Sequence, residues 1–142
     1  MARGEGTVLI ERSPEEVWEY IADLTHALEY IPGLTDIEVS LGPIGPGTRV
    51  TEVRRGGRLR GVLEVVEWDP PKRLRLRSDQ MPLQADRLYK LEPAPLGTLV
   101  HYSTEVRGTG RAKVVELFIR RALRRDTNAL LQTLKRQIEV YW

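Results

Sequence analysis

The residues able to do chemistry in this chain are few, and most fall on strand-like stretches. Glu52, Arg87, Tyr89, Tyr102 and Thr104 alternate with apolar neighbours, while Asp126 and Thr127 interrupt an apolar helical stripe. Successive side chains of a strand face opposite sides, so residues two apart share a face. If Val50 turns inward, Glu52 turns inward with it. An ordinary core is apolar at such places, because burying an unpaired charge is costly. The pattern leaves two readings open. In one, Glu52 and Arg87 form a structural pair, or a different strand register leaves both in solvent. In the other they are polar groups in a water-containing cavity, orienting a largely apolar ligand. A catalytic version has Arg87 polarising a carbonyl while Glu52 or Tyr102 moves the proton.

Other chemistry is sparse. The two histidines, His26 and His101, fall on a helix and on an outward strand position, and no further ligands stand at metal-binding spacing. No metal or cofactor is expected. There is no Gly-x-Ser-x-Gly elbow. Gly108-Thr109-Gly110 precedes a helix, but it lacks a Gly-Lys-Ser/Thr ending and dinucleotide spacing, so it reads as a hinge. The absence of cysteine excludes thiol chemistry and suits a cytoplasmic setting.

Charge narrows the partners. Lys and Arg number 22 against 20 acidic residues, a net charge of +2, so no broad positive surplus favours nucleic acid. Arg120, Arg121, Arg124 and Arg125 are either a solvated helix face or an attraction for anionic lipid headgroups or a ligand phosphate. No apolar run approaches the roughly 18 residues that a membrane span needs, and Met1–Glu5 lacks the apolar stretch of a signal peptide.

These residues need a scaffold, and the punctuation of the chain supplies one. Residues 6–12 read as a strand. Ser13 then fits a helix N-cap, Pro14 the first helical position and Glu16 the capping-box carboxylate, with Val17, Trp18, Ile21 and Ala22 as the apolar stripe. A second short helix over 23–31 stops at Pro32-Gly33. Strands follow near 35–42, 48–55, 58–67, 73–79, 84–92 and 98–107, separated by Gly- and Pro-rich turns, with Gly56-Gly57 as a tight hairpin. The inward set is Val50 and Glu52, then Leu59, Gly61, Leu63 and Val65, then Leu74 and Leu76. Arg87, Tyr89 and Leu91 continue it, with Val100, Tyr102, Thr104 and Val106. Gly61, mid-strand, fits a bend or a close approach.

From about Gly110 the chain reads as one long helix, with Val115, Ile119, Leu123, Leu130, Leu134 and Ile138 on one face. Some 28 residues would span about 42 Å. Only a broad curved sheet can cover such a helix. The class is therefore α+β in one domain over 1–142, and a hollow is expected between sheet and helix. Tyr30, Val50, Leu63, Tyr89, Tyr102, Leu123, Thr127, Leu130 and Leu134 would line it, with Glu52, Arg87 and Thr104 for polar orientation. Access is expected near Tyr30-Ile31-Pro32-Gly33 and the 79–83 loop, with Met81 as an adaptable gate. Trp18 and Trp68 read as packing residues. Val62, Val66, Leu88 and Leu99, on the convex side, would support a homodimer if they formed a patch.

The order of motifs resembles the helix-grip fold of the START/SRPBCC superfamily, in its polyketide cyclase/dehydrase-like branch. The features that carry it are Ser13-Pro14-Glu15-Glu16-Val17-Trp18, Tyr30-Ile31-Pro32-Gly33-Leu34, Gly47-Thr48-Arg49-Val50, Glu67-Trp68-Asp69-Pro70-Pro71-Lys72-Arg73-Leu74 and Gly97-Thr98-Leu99-Val100. Asp126, Leu130, Leu134-Lys135 and Glu139 on the last helix complete it. The resemblance implies a curved antiparallel sheet of about seven strands wrapped around the final helix, and a small hydrophobic ligand such as a lipid, quinone or polyketide-like molecule. Its alternatives are a cyclase or dehydratase working in the same cavity, or a lipid-surface or partner-binding module using the arginine face.

Overall fold

The first helix begins where its cap residues put it. In the computed structural model, which describes residues 1–78 and 83–142, the Ser13 hydroxyl accepts the Glu16 backbone N–H at 3.2 Å, and Pro14 opens helix α1, Pro14–Ala22. Strand β1 precedes it over Ala2–Ile10, starting earlier than the 6–12 read from sequence. A 3-10 turn at Leu24–His26 and the short helix α2, Ala27–Tyr30, replace the single helix expected over 23–31.

Six strands follow: β2 (Leu34–Val39), β3 (Arg49–Arg54), β4 (Leu59–Asp69), β5 (Arg73–Ser78), β6 (Leu83–Ala94) and β7 (Gly97–Gly108). All seven form one antiparallel sheet in the order β1-β7-β6-β5-β4-β3-β2. The sheet curls around helix α3, Lys113–Arg136, which a π-helical turn extends through Gln137–Tyr141. Its 24 residues span about 36 Å. The fold is α+β.

Two glycines let the helix lie close to the sheet. α3 runs alongside β1 in the same direction, from Leu123 and Thr127 over Gly4 to Leu131 over Gly6. Lys135 then donates to the Leu9 carbonyl at 2.6 Å, and Glu139 accepts the Glu11 N–H at 2.8 Å. A Cβ on Gly4 would sit 2.3 Å from Thr127 Oγ1 and 2.8 Å from the Leu123 carbonyl oxygen. Only a residue without a side chain fits there.

The alternation read from sequence holds on the concave face. Val50, Leu63, Val65, Leu74, Leu76, Tyr89, Leu91, Val100 and Tyr102 are all buried, and they join Ile10, Ile21, Leu134 and Ile138 in one core. Trp18 and Trp68 pack edge to face with centroids 5.1 Å apart. On the convex face Arg73, Arg75 and Arg77 interleave with Glu67 and Asp86 in a ladder of ion pairs. These charges stand between Val62 and Leu88, and Lys90 and Glu92 separate Leu88 from Leu99. The convex residues do not make one apolar patch.

The helical stripe fails at its start. Val115 is 37% exposed, and Glu116 takes the inward position, accepting the Gly108 N–H at 2.6 Å. Val114, Leu117 and Phe118 face solvent instead. β7 therefore meets α3 at Glu116, and Val114, Leu117 and Phe118 lie on the helix face turned away from the sheet.

Candidate functional site

Strand register brings the polar concave residues together. Arg87 pairs across with Thr104 and Tyr89 with Tyr102, while Glu52 on β3 faces Gly61 on β4. Across the intervening β4 and β5, Arg87 Nη1 and Nη2 donate to the two carboxylate oxygens of Glu52 at 2.7 and 3.0 Å. Side-chain exposures of 11% and 8% make this a buried bidentate pair, and Arg54 Nη2 stands 3.6 Å from the same carboxylate. Burial alone would raise the Glu52 carboxyl. The Arg87 guanidinium outweighs it, with Arg54 assisting, and holds the group below the usual carboxylate range. The same pairing outweighs burial at Arg87 and keeps it firmly protonated.

Three tyrosines extend this network into the core. Tyr30 and Tyr89 share a hydrogen bond between hydroxyls at 3.0 Å, and the rings of Tyr89 and Tyr102 meet edge to face at 5.1 Å. Burial pushes all three phenols above their usual range, and the nearby Arg87 offsets only part of that rise. They are neutral at physiological pH and act as hydrogen-bond donors rather than bases.

Beside the pair lies a pocket of about 460 Å³ between the sheet and α3. Of the residues singled out in sequence, Glu52, Leu63, Arg87, Tyr102, Thr104, Leu123, Thr127 and Leu130 border it. Tyr30, Val50 and Tyr89 do not. They surround a small space of about 10 Å³ behind Glu52 and Arg87, where α1 and α2 pack on the sheet. Leu134 is fully buried in the core below the pocket. Met81, and residues 79–82 of the loop expected to gate access, lie outside the described residues. Ile31 and Pro32 stand at the rim, as expected, with the exposed Leu59 and Leu83.

Sequence reasoning passed over several lining residues. Arg54 lies two positions beyond Glu52, so the alternation that turned Glu52 inward also pointed to it. Asp126, which the sequence does mark as a polar break in the helical stripe, borders the pocket next to its ion partner Arg125. Arg60 has the opposite parity from Gly61, and no pattern marked it. Gly61 itself lines the pocket, and a Cβ there would meet nothing within 4 Å. A close approach is therefore not what requires glycine at this position.

Two buried polar atoms at the site have no hydrogen-bond partner among the described residues: Arg87 Nε and Thr127 Oγ1. Such orphans are uncommon in native interiors, and both atoms are shielded from solvent. No cluster of three or more His, Cys, Asp or Glu residues suited to a metal ion occurs among the described residues.

Residues 1–139 match the family of polyketide cyclases/dehydrases and lipid transport proteins. The chain belongs to that family. Solved structures agree on the fold. TTHA0849 from Thermus thermophilus superposes with a TM-score of 0.78 over 96% of both chains, at 20% identity. KanY superposes at 0.74 over 97% of both, at 22% identity. The di-domain aromatase/cyclase StfQ of the steffimycin pathway gives 0.75 at 12% identity, covering 94% of this chain and 49% of StfQ. No curated protein matches the sequence. Among the described residues, no helix is long and apolar enough to cross a membrane.

Proposed function

We propose that this family member binds a small, largely apolar molecule bearing oxygen acceptors in the pocket between the sheet and α3. The observation that carries the reading is a pocket of about 460 Å³ between apolar side chains and a polar wall that holds Arg87, Tyr102 and Thr104. That volume falls in the usual range for small-molecule sites, roughly 300–1,000 Å³. Leu63, Leu123 and Leu130 offer apolar contact, while Arg87, Tyr102 and Thr104 offer hydrogen-bonding groups along one wall. Glu52 already neutralises the charge of Arg87, so this wall suits a neutral acceptor, a ketone or phenol oxygen, better than a carboxylate.

Calorimetric titration tests this with hydroxylated anthraquinones and naphthoquinones against the parent hydrocarbons. A satisfied buried donor contributes about 1–3 kcal/mol, so the oxygenated compounds are expected to bind roughly 5- to 150-fold more tightly. Arg87→Met should erase the difference. Equal binding of both series by the native protein overturns the reading.

The cyclase or dehydratase alternative uses the same pocket and asks Glu52 to move a proton. A carboxylate held by two arginines and kept ionised is a weak candidate for that task, because a useful acid or base has a pKa near the working pH. Binding without turnover is favoured. A poly-β-ketone substrate consumed at the same rate with and without the protein supports that choice; an acceleration abolished by Glu52→Gln reverses it.

A further inference from the structure

Charge in this chain is strongly polarised. Residues 54–60 and 107–126 together hold 11 of the 22 basic residues and two of the 20 acidic ones, so a chain of net +2 places +9 on these stretches and −7 elsewhere. The fold brings both to one end. Arg54, Leu59 and Arg60 of the β3–β4 hairpin border the pocket across from Leu123 and Asp126 of α3, and β7 ends at the first turns of that helix. Arg55, Arg58, Arg60, Arg120, Arg121 and Arg124 are all exposed and have no acidic partner within ion-pair distance among the described residues.

Apolar side chains stand among these cations. Val114, Leu117 and Phe118 are 54%, 66% and 80% exposed on the outer face of α3, the face that also carries Arg121 and Arg125 at helical spacing. Leu59, 49% exposed, projects from the hairpin. A nucleic-acid surface would reward the arginines and leave these side chains in water. A second copy of the chain would present the same positive charge and repel. Exposed apolar side chains next to cations that are mostly unpaired complement a bilayer, whose acidic headgroups overlie an apolar interior.

We propose that the pocket-mouth end of the protein, formed by the β3–β4 hairpin and the first turns of α3, docks on anionic phospholipid bilayers, with Phe118 and Leu117 entering the headgroup boundary and the arginines engaging lipid phosphates. The pocket then opens toward the bilayer. The inference rests on the outer surface, and it stands or falls independently of what the pocket holds.

Cosedimentation of the full chain with vesicles tests it. On phosphatidylcholine containing about one-third phosphatidylglycerol, binding is expected, falling at least about tenfold from about 0.05 M to about 0.3 M salt. Pure phosphatidylcholine should bind at least about tenfold more weakly. Leu117→Ser with Phe118→Ser should weaken binding to anionic vesicles by about tenfold or more, as should Arg120→Glu with Arg121→Glu. All four side chains are exposed, and circular dichroism should show both variants folded. Equal binding to neutral and anionic vesicles overturns the proposal. So does binding that survives the serine pair, tighter binding to duplex DNA than to the vesicles, or a stable dimer that covers Phe118.

Discussion

Replacing Arg87 by Met tests whether the polar site is a coupled unit. Arg87 and Glu52 are joined by two hydrogen bonds of 2.7 and 3.0 Å, at side-chain exposures of 11% and 8%. Removing one partner of a buried ion pair typically costs about 3–5 kcal/mol, chiefly because the other charge is stranded. Here Arg54 stands 3.6 Å from Glu52, and the adjacent pocket admits water. Both ease the stranded carboxylate, so the expected loss is about 2–3 kcal/mol, or about 5–10 °C in Tm for a domain of this size. Replacing both partners, Arg87→Met with Glu52→Leu, removes the stranded charge and should return stability to within about 1 kcal/mol of the native protein. Urea unfolding followed by the fluorescence of Trp18 and Trp68 measures all three proteins. The reasoning fails if Arg87→Met costs less than about 0.5 kcal/mol, or if the double variant is as unstable as the single one.

Other outcomes follow from the same contacts. The folded-state pKa of Glu52 lies below its ordinary value of 4.5, so its pairing contributes fully above that pH and is lost as pH falls through the lower folded value. Stability of the native protein should therefore fall more steeply below pH 4.5 than that of Glu52→Gln; parallel pH–stability curves would sink the assignment. Gly4→Ala drives a methyl group against Thr127 and the Leu123 backbone, and should cost about 1–3 kcal/mol in a thermal melt. An unchanged Tm would mean that α3 does not lie as close to β1 as 2.3 Å implies.

Much of the scaffold was legible because it rests on local rules. Ser13-Pro14 announces a helix start through capping alone. Period-two alternation sorted Leu63, Val65, Arg87, Tyr89 and Tyr102 onto the concave side before any partner strand was known. Alternation, however, gives the face of a residue and not its depth. Tyr30, Val50 and Tyr89 have the right orientation, but they lie where α1 and α2 fill the hollow with side chains. The open space survives further along, beside Gly61 and under Leu123 and Thr127. The stripe on α3 misled for a different reason. Repeated steps of four drift around the helix, so Val115 lies about 80° from Leu123 while Glu116, seven residues before Leu123, falls on the buried face and takes the Gly108 N–H. Val114, Leu117 and Phe118 are exposed because they lie on the opposite, outer face of the same turns.

The central claim is that the space beside Arg87 receives a ligand, and Gly61→Trp tests it most directly. A Cβ at position 61 meets nothing within 4 Å and Gly61 borders the pocket, so the indole is expected to fill pocket space. Calorimetric titration with a hydroxylated anthraquinone is expected to show binding by the native protein and at least a tenfold loss in Gly61→Trp, with Tm changed by no more than about 3 °C. Equal affinity in the two proteins would contradict the account.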